Sequence, residues 1–407
     1  MKNKNIIFSV VIIFLLMIIG SFVIFKTPED VSLRENRVLA KFHKPSIEKI
    51  YKGEFQNNFE EAFSDQFVFK SNLYDYYSKI NNSLRNVANR FLDDNNMMLV
   101  SISDTGIYSI GVGGDWLTEF PWFWSKNYDQ MFGDRIENYD RLIAEFPNID
   151  FYIYKATNCR DTDWFDEANG IQSSGGFYEN NFIDWVDSRY IYKSGYYESF
   201  EEYKKYNYKT DHHWNADGAR KGYIDIINMI KEKYPQIGEP KEPVDKKTSN
   251  VKFYGSLAKT SNYNVKNTNY DLISDYFYNL NNYDLYINGE KVEKYGLKDE
   301  YFNNVVDNNK EINHYRECFG PDTFEKKYDF GNNTGLNLLV IADSYSNCIE
   351  PVLASHFDTT IFYDLRYKEQ RTFDIKDVIK NNNIDIVMFM GGYFDIFMEE
   401  AYIIPLD

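Results

Sequence analysis

The tetrapeptide Asp211-His212-His213-Trp214 places one carboxylate and two imidazoles within three residues. Histidine ionises near neutral pH and acts as a general base, most effectively when a carboxylate orients its ring. The tetrapeptide lies at the head of a predicted helix, because apolar residues recur at helical spacing soon after it: Ala219, Tyr223, Ile226, Ile227 and Ile230. The chemistry predicted for this segment is general-base catalysis.

A second polar segment, Asp343-Ser344, directly follows the apolar run 338–341, which predicts a buried strand. Ligands bind at the carboxyl ends of the strands in an open parallel sheet, and backbone N–H groups there can hold an oxyanion. A serine hydroxyl becomes a nucleophile only when a base within hydrogen-bond reach removes its proton. Since Ser-His-Asp triads occur in several chain orders, an order of Asp, His, Ser is no objection.

Both segments have simpler interpretations. Asp211 precedes a helix and suits a helix cap, and an Asp-Ser pair after a strand is a common turn. A metal site built from Asp211, His212 and His213 is a third alternative. The chain has only five histidines and no His-Glu-x-x-His spacing, which disfavours metal catalysis.

Composition limits the classes of function. A formal net charge of −17 argues against a nucleic-acid partner and against a protein lying flat on an anionic membrane. The three cysteines, Cys159, Cys318 and Cys348, have no Cys-x-x-Cys spacing, so a disulfide framework or structural zinc site is not expected. Cys348 precedes Pro351, which predicts a helix start with the thiol in packing, and a cysteine nucleophile is the weaker alternative.

Residues 1–26 predict a membrane anchor. The stretch from 6 to 25 carries no charge and, at about 1.5 Å per residue, spans a hydrocarbon core. Lys2 and Lys4 precede it, which predicts a cytoplasmic N-terminus and an extracytoplasmic remainder, hence a single-pass protein of the cell membrane. A cleaved signal peptide is the rival interpretation, disfavoured by the length of the apolar run and the missing small-residue cleavage site.

The remainder predicts a stalk with amphipathic helices over 27–95 and a main domain over 96–407. In the main domain apolar strands alternate with helices, which indicates an α/β fold with a mostly parallel sheet covered on both faces. Residues 246–333 interrupt this rhythm with strand-like pieces and an Asn288-Gly289 turn. We therefore predict a β-rich insertion there.

The Asp211-His212-His213-Trp214 motif resembles the signature of the DHHW family. The chain is also similar to the wider group of SGNH-hydrolase-like proteins that O-acetylate exported polysaccharides, including the alginate acetylation proteins. The resemblance covers most of the chain after the anchor and rests on residues 35–39, 63–67, 70, 211–214 and 342–345. It implies an SGNH-hydrolase-like α/β/α sandwich.

The resemblance also implies roles for individual residues. Asp211 would orient the base, His213 would be the base, and Ser344 would be the nucleophile, with His212 only a neighbour. The chain departs from the family pattern at Ala342, where glycine is usual, and at Tyr345, where phenylalanine is usual. Further candidates for substrate binding or an oxyanion hole are Asn347, Asn158, Gly391, Arg366 and Trp214, and a structural ion pair is an equal interpretation of Arg366.

The function implied by the resemblance is a serine O-acyltransferase, in particular an O-acetyltransferase, that modifies a cell-surface or exported polysaccharide. It needs no cofactor and no metal. Its expected partners are the polysaccharide acceptor and a multispanning membrane-bound O-acyltransferase that supplies the acyl group. Two alternatives stay open: a carbohydrate esterase with the same triad, and a non-catalytic polysaccharide-binding or assembly protein.

Overall fold

The computed structural model describes residues 2–32, 37–67, 70–89, 98–102, 105–111, 114–120, 125–171, 174–261, 270–292, 297–303, 312–370 and 373–406. It divides into an N-terminal unit, residues 1–90 with 311–313, and a main unit, residues 91–310 and 314–407. Each unit is described by itself. The predicted boundary between residues 95 and 96 lies outside the described residues.

The N-terminal unit consists of α1 (Lys2–Phe25), β1 (Val31–Ser32), β2 (Arg37–Val38), α2 (Ile47–Tyr51), α3 (Glu54–Asp65) and α4 (Lys70–Asn89). The segment Ile6–Phe25 of α1 is long and apolar enough to cross a membrane, and a signal sequence has the same properties. Ser46 caps α2 by accepting a hydrogen bond from the N–H of Lys49.

The main unit alternates strands and helices. In chain order they are β3 (Leu99–Ser101), β4 (Ile107–Ile110), β5 (Trp116–Glu119), α5 (Lys126–Glu145), β6 (Asp150–Lys155), α6 (Asp163–Asn169), α7 (Ser174–Trp185), β7 (Ile191–Ser194), α8 (Phe200–Tyr206), α9 (Ala216–Lys231), β8 (Asp245–Phe253), α10 (Ser256–Ser261), β9 (Asp271–Phe277), β10 (Asp284–Ile287), β11 (Glu290–Val292), α11 (Leu297–Asn303), α12 (His314–Phe319), β12 (Glu325–Asp329), β13 (Asn337–Ala342), α13 (Glu350–Ala354), β14 (Thr359–Tyr363), α14 (Ile375–Asn381), β15 (Ile386–Gly391) and α15 (Tyr393–Phe397).

The central sheet has the strand order β11-β10-β12-β14-β13-β15-β6-β7. Strands β14, β13, β15, β6 and β7 are parallel, whereas β12, β10 and β11 extend one edge in antiparallel register. The prediction of a mostly parallel sheet is confirmed. The segment predicted as a β-rich insertion supplies β8 to β12, and three of these strands join the central sheet.

Both faces of the sheet are buried under helices, because the inner strands are apolar at nearly every position. Along β13, Leu338 and Val340 point into the core that contains α9 and α13. Leu339 and Ile341 point into the opposite core, where α5, α7 and α14 contribute apolar side chains. The result is a three-layered α/β/α arrangement.

Strand β13 is a topological switch point of this sheet. The chain leaves β13 to form β14 on one side and later returns to form β15 on the other. At such a point the connections that leave the carboxyl ends of neighbouring strands run to opposite sides, which opens a crevice between them. Ser344 follows β13 at this point.

Candidate active site

The Asp-His segment is a short loop closed between α8 and α9. An isolated bridge joins Asn207 to Trp214, and the N–H of Tyr208 donates to the carbonyl of His213 at 3.2 Å. Asn215 then caps α9 by accepting from two backbone N–H groups. Asp211 and His213 are consequently held at the head of α9.

Trp214 is buried and fixes this loop against α9. The helix presents Gly222 to the indole, where an added Cβ would lie 2.7 Å from Cη2 of the ring. The indole Nε1 donates to the thiol of Cys348 at 3.0 Å. Trp214, predicted as a possible substrate-binding residue, therefore occupies a core position, and its binding role stays a prediction.

Ser344 lies in a turn that Asp343 organises. The Asp343 carboxylate accepts the N–H of Tyr345 at 2.8 Å through Oδ1 and the N–H of Gly392 at 2.8 Å through Oδ2. These bonds connect the turn after β13 to the turn after the neighbouring β15. The partly buried Ser344 is thereby held at the mouth of the crevice.

The structure brings the three predicted side chains together. His213 Nε2 lies 2.8 Å from Ser344 Oγ, and His213 Nδ1 lies 2.6 Å from Asp211 Oδ1. Asp211 also accepts the N–H of His213 at 3.0 Å and, through Oδ2, the N–H of Ser256 at 2.7 Å. A serine, an imidazole and a carboxylate in this order and at these distances form the geometry required for nucleophilic catalysis.

Asp211 is held in its ionised form. Burial opposes ionisation, but the neighbouring imidazoles of His213 and His212 and the hydrogen bonds to the carboxylate outweigh it, so the pKa of Asp211 lies well below its usual range. An ionised Asp211 accepts from His213 Nδ1–H, which leaves Nε2 as the proton acceptor facing Ser344.

His212 is in a different environment. Its Nδ1 lies 2.9 Å from Ser256 Oγ, and burial followed by the adjacent His213 lowers its pKa to about 4. His212 is therefore neutral at physiological pH and does not contact Ser344 through any hydrogen bond among the described residues. This arrangement favours His213 as the base.

The metal alternative fits this geometry poorly. Ligand atoms of Asp211, His212 and His213 lie within 4.8 Å of one another. However, His213 Nδ1 and Asp211 Oδ1 are 2.6 Å apart, whereas two ligands of a tetrahedral zinc with bonds near 2.0 Å are separated by roughly 3.3 Å. The short separation fits a hydrogen bond in which the imidazole N–H donates.

Two of the additional candidates have side chains committed to other residues. Asn347 accepts from Lys326 Nζ at 2.9 Å and donates to Asp322 at 2.8 Å. Arg366 pairs with Asp364, with Nε to Oδ1 at 2.9 Å and Nη2 to Oδ2 at 2.6 Å. This contact agrees with the interpretation of Arg366 as part of a structural ion pair. No contact among the described residues joins Arg366 to Asp211, His213 or Ser344.

Asn158 and Gly391 lie at the same edge of the sheet as Ser344. Asn158 follows β6 and caps a short 3-10 turn, where its side chain accepts the N–H of Arg160. Gly391 ends β15, and an added Cβ would lie 2.8 Å from Asp343 Oδ2. Gly391 therefore allows Asp343 to approach β15, and the oxyanion role of both residues stays a prediction.

Sequence reasoning missed the contribution of Gly255 and Ser256. An added Cβ at Gly255 would lie 2.5 Å from Asp211 Cβ, so only glycine permits the start of α10 to approach the Asp-His loop. This approach brings the N–H of Ser256 to Asp211 and its hydroxyl to His212. The segment has no motif of its own, and a Gly-Ser pair after a strand is too common to indicate a site.

A buried acid pair supports the serine turn. Asp395 is hydrogen-bonded to Asp343, and both carboxyls border Gly392, where an added Cβ would lie 3.3 Å from Asp395 Oδ2 and 3.7 Å from Asp343 Oδ2. Burial and then repulsion from Asp395 raise the pKa of Asp343 well above its usual value, and burial likewise raises the pKa of Asp395. The two carboxyls therefore share one proton.

Asp395→Asn is expected to stabilise the protein above about pH 5 by on the order of 1–2 kcal/mol. In the wild type the folded chain still holds a proton on the acid pair at pH values above the usual carboxyl pKa, where the unfolded chain has lost it. The free energy of unfolding therefore falls as the pH rises from the usual carboxyl pKa to the raised pKa of the pair. An amide donates to Asp343 without titrating. Urea unfolding of both proteins at pH 4.5 and pH 8 tests this. A free energy of unfolding at pH 8 that is lower in the variant than in the wild type contradicts the prediction.

The fold and site define the chain as an α/β protein with a Ser-His-Asp arrangement at a sheet switch point. Among the solved structures that share the fold are the following two proteins. Bacillus cereus PatB1 has a TM-score of 0.56 at 22% identity, covering 71% of this chain and 97% of PatB1. A DHHW family protein from Eubacterium siraeum has a TM-score of 0.55 at 18% identity, covering 74% and 95% of the two chains.

The DHHW resemblance predicted from the sequence is thus confirmed at the level of the fold. The O-acetyltransferase domain of Pseudomonas putida AlgJ matches with a TM-score of 0.42 at 12% identity, covering 70% of this chain and 90% of that domain. No family model matches the sequence, and no curated protein matches it.

Proposed function

We propose that this protein is an SGNH-hydrolase-like serine O-acyltransferase, specifically an O-acetyltransferase, that modifies an exported or cell-surface polysaccharide. The observation that carries the proposal is the continuous hydrogen-bonded chain from Asp211 through His213 to Ser344. If Asp211 were only a helix cap and Asp343-Ser344 only a turn, there would be no reason for the two segments to be in contact. Instead, His213 is hydrogen-bonded to the hydroxyl of Ser344, 131 residues along the chain.

The first half-reaction loads the acyl group on Ser344. Oγ attacks the carbonyl carbon of an acyl donor while His213 Nε2 takes the hydroxyl proton, and Asp211 stabilises the resulting imidazolium. The bond from carbonyl carbon to the donor's leaving oxygen then breaks, and His213 returns the proton to that oxygen. The product is an acyl-Ser344 ester.

The second half-reaction transfers the acyl group to a sugar. A sugar hydroxyl attacks the acyl carbon, His213 accepts its proton, and Ser344 Oγ leaves and regains the proton from His213. The backbone N–H of Ser344 has no acceptor among the described residues and is available to hold the oxyanion of each tetrahedral intermediate. Water in place of the sugar converts the same steps into ester hydrolysis, which is the alternative function.

The proposed location follows from α1. As an uncleaved anchor it would hold the main unit at the outer surface of the membrane, where a multispanning O-acyltransferase could deliver the acyl group. In this proposal residues 1–26 anchor the chain, residues 27–95 form the stalk, and residues 96–407 form the catalytic domain, in which residues 246–333 are the insertion.

The proposal is tested with the full-length chain in detergent and an activated acetyl ester, with and without a soluble oligosaccharide acceptor. We expect acetyl-Ser344 by peptide mass spectrometry and acetylated acceptor as the main product. Release of acetate alone, unchanged by acceptor, supports the esterase instead. Glycan binding without any turnover supports the non-catalytic alternative.

A sulfonyl fluoride provides an independent probe, since PatB1 has been solved with a sulfonyl adduct. The reagent forms a sulfonate ester with a nucleophilic hydroxyl, fluoride leaves, and the base takes the proton. We expect a single adduct on Ser344 that is absent in Ser344→Ala. Modification at the same rate in Ser344→Ala would contradict the assignment of the nucleophile.

A further inference from the structure

Both faces of the His213 imidazole are covered by rings. The Tyr315 ring lies parallel to it, with centroids 4.0 Å apart and an interplanar angle of 12°. The His212 ring has its centroid 3.9 Å from that of His213 at an angle of 36°. Two rings cannot occupy the same face at these separations, so Tyr315 and His212 lie on opposite faces of His213.

Tyr315 is itself firmly held. It is the second residue of α12, it is 5% exposed, and its ring packs on Phe319 with centroids 4.7 Å apart. Its hydroxyl donates to the carbonyl of Ser344 at 3.3 Å. One side chain therefore contacts the base through its ring face and the nucleophile's backbone through its hydroxyl.

The two covering rings differ electrostatically. A phenol face is electron-rich and attracts a cation, so it stabilises the imidazolium that forms when Ser344 loses its proton. His212 on the other face is neutral at physiological pH, because its pKa is lowered to about 4. Burial raises the pKa of Tyr315 well above its usual value, so its hydroxyl stays a donor.

We propose that Tyr315 is a positioning residue for the reaction: its ring fixes the plane of His213 and stabilises the imidazolium, while its hydroxyl holds the backbone of Ser344. This role rests on the proposed acyl transfer at Ser344. Several titratable and charged groups face the stacked pair. In the segment before α9 they are Tyr208, Asp211 and His212, and near the serine turn they are Tyr345 and Cys348. Glu119 and Arg160 act from farther away, through His212.

The test measures the rate of sulfonyl fluoride labelling of Ser344 from pH 5 to pH 9 in the full-length chain, by intact mass. It compares the wild type with Tyr315→Leu, which removes the ring, and Tyr315→Phe, which removes only the hydroxyl. Phe319→Leu is the matched control, because it disturbs the packing of the same helix and no described ring contact joins it to His213.

For Tyr315→Leu we expect labelling to slow by about 10- to 30-fold and the midpoint of the acid limb to move down by roughly one pH unit, since the cation loses its aromatic face. Tyr315→Phe retains the stack and should keep the wild-type midpoint with a rate loss of about threefold. Phe319→Leu should keep both rate and midpoint.

An unchanged or raised midpoint in Tyr315→Leu overturns the proposal, and so does an equal shift in Phe319→Leu. These outcomes are separable from failure of the proposed function. If the wild type labels Ser344 in a His213-dependent manner but the midpoint does not move, the nucleophile assignment stands and only the role of Tyr315 fails. If Tyr315→Leu does not fold, as judged by circular dichroism, Tyr315→Met removes the ring with an unbranched side chain, and a wild-type midpoint in that variant overturns the proposal.

Discussion

Replacing His213 with alanine is expected to lower kcat/KM for an activated acetyl ester by about four orders of magnitude, and Ser344→Ala should do the same. Without the imidazole, Ser344 Oγ loses the acceptor that lies 2.8 Å away. Because the two groups act in one proton transfer, the double variant should be no worse than either single variant.

The matched control for this prediction is His212→Asn. His212 adjoins His213 in sequence and in space, but its Nδ1 is directed to Ser256 rather than to Ser344. We expect its loss to stay within about tenfold, because it affects only the packing of the base. If His212→Asn lost as much activity as His213→Ala, the assignment of the base would be wrong.

Asp211→Asn is the second prediction with a large effect. An amide can present its NH₂ group to His213 Nδ1, which favours the tautomer whose Nε2 carries the proton and cannot accept one from Ser344. We expect kcat/KM to fall by about 10³–10⁴ while the fold is retained. Steady-state kinetics with the activated ester, alongside circular dichroism of both proteins, measures this.

The same substitution has a pH signature. The pKa of Asp211 is held below its usual range in the folded chain, so below about pH 4 the unfolded chain binds the proton first and the wild type loses stability. The variant lacks this contribution and should lose less stability between pH 5 and pH 3. Asp217→Asn, on the first turn of α9, is the control, with activity expected within about threefold of wild type. Equal activity losses at both positions would show that loop disruption, not the tautomer, is responsible.

Local patterns in the sequence predicted much of the fold. The apolar run at 338–341 corresponds to β13, and the helical spacing of apolar residues from Ala219 to Ile230 corresponds to α9, which Asn215 caps. These elements follow from the spacing of apolar residues and from side chains that satisfy nearby N–H groups. The Asn288-Gly289 turn is a local signal for the hairpin of β10 and β11, whereas the pairing of β10 with β12 and of β12 with β14 has no local signal, because it depends on distant partners.

The site was predictable only in part for the same reason. Asp211 and His213 are two residues apart, so their contact is local, whereas Ser344 lies 131 residues from His213. The spacing of the residues alone predicted a candidate nucleophile and a candidate base, but not that the two are in contact. The choice of His213 over His212 as the base came from the family resemblance. Ser256 contacts Asp211 and His212, and Tyr315 stacks on His213, and both residues lie in segments without a recognisable motif.

The position of β15 links assembly of the sheet to the turn that carries Ser344. This strand follows all the other described strands in sequence, yet it lies in the interior of the sheet between β6 and β13. Until it inserts, β13 has no neighbour on that side and Asp343 lacks the Gly392 N–H that secures the serine turn. Under the proposed function, Ser344 would therefore become a competent nucleophile only after β15 has paired with β13 and brought the Gly392 N–H to Asp343.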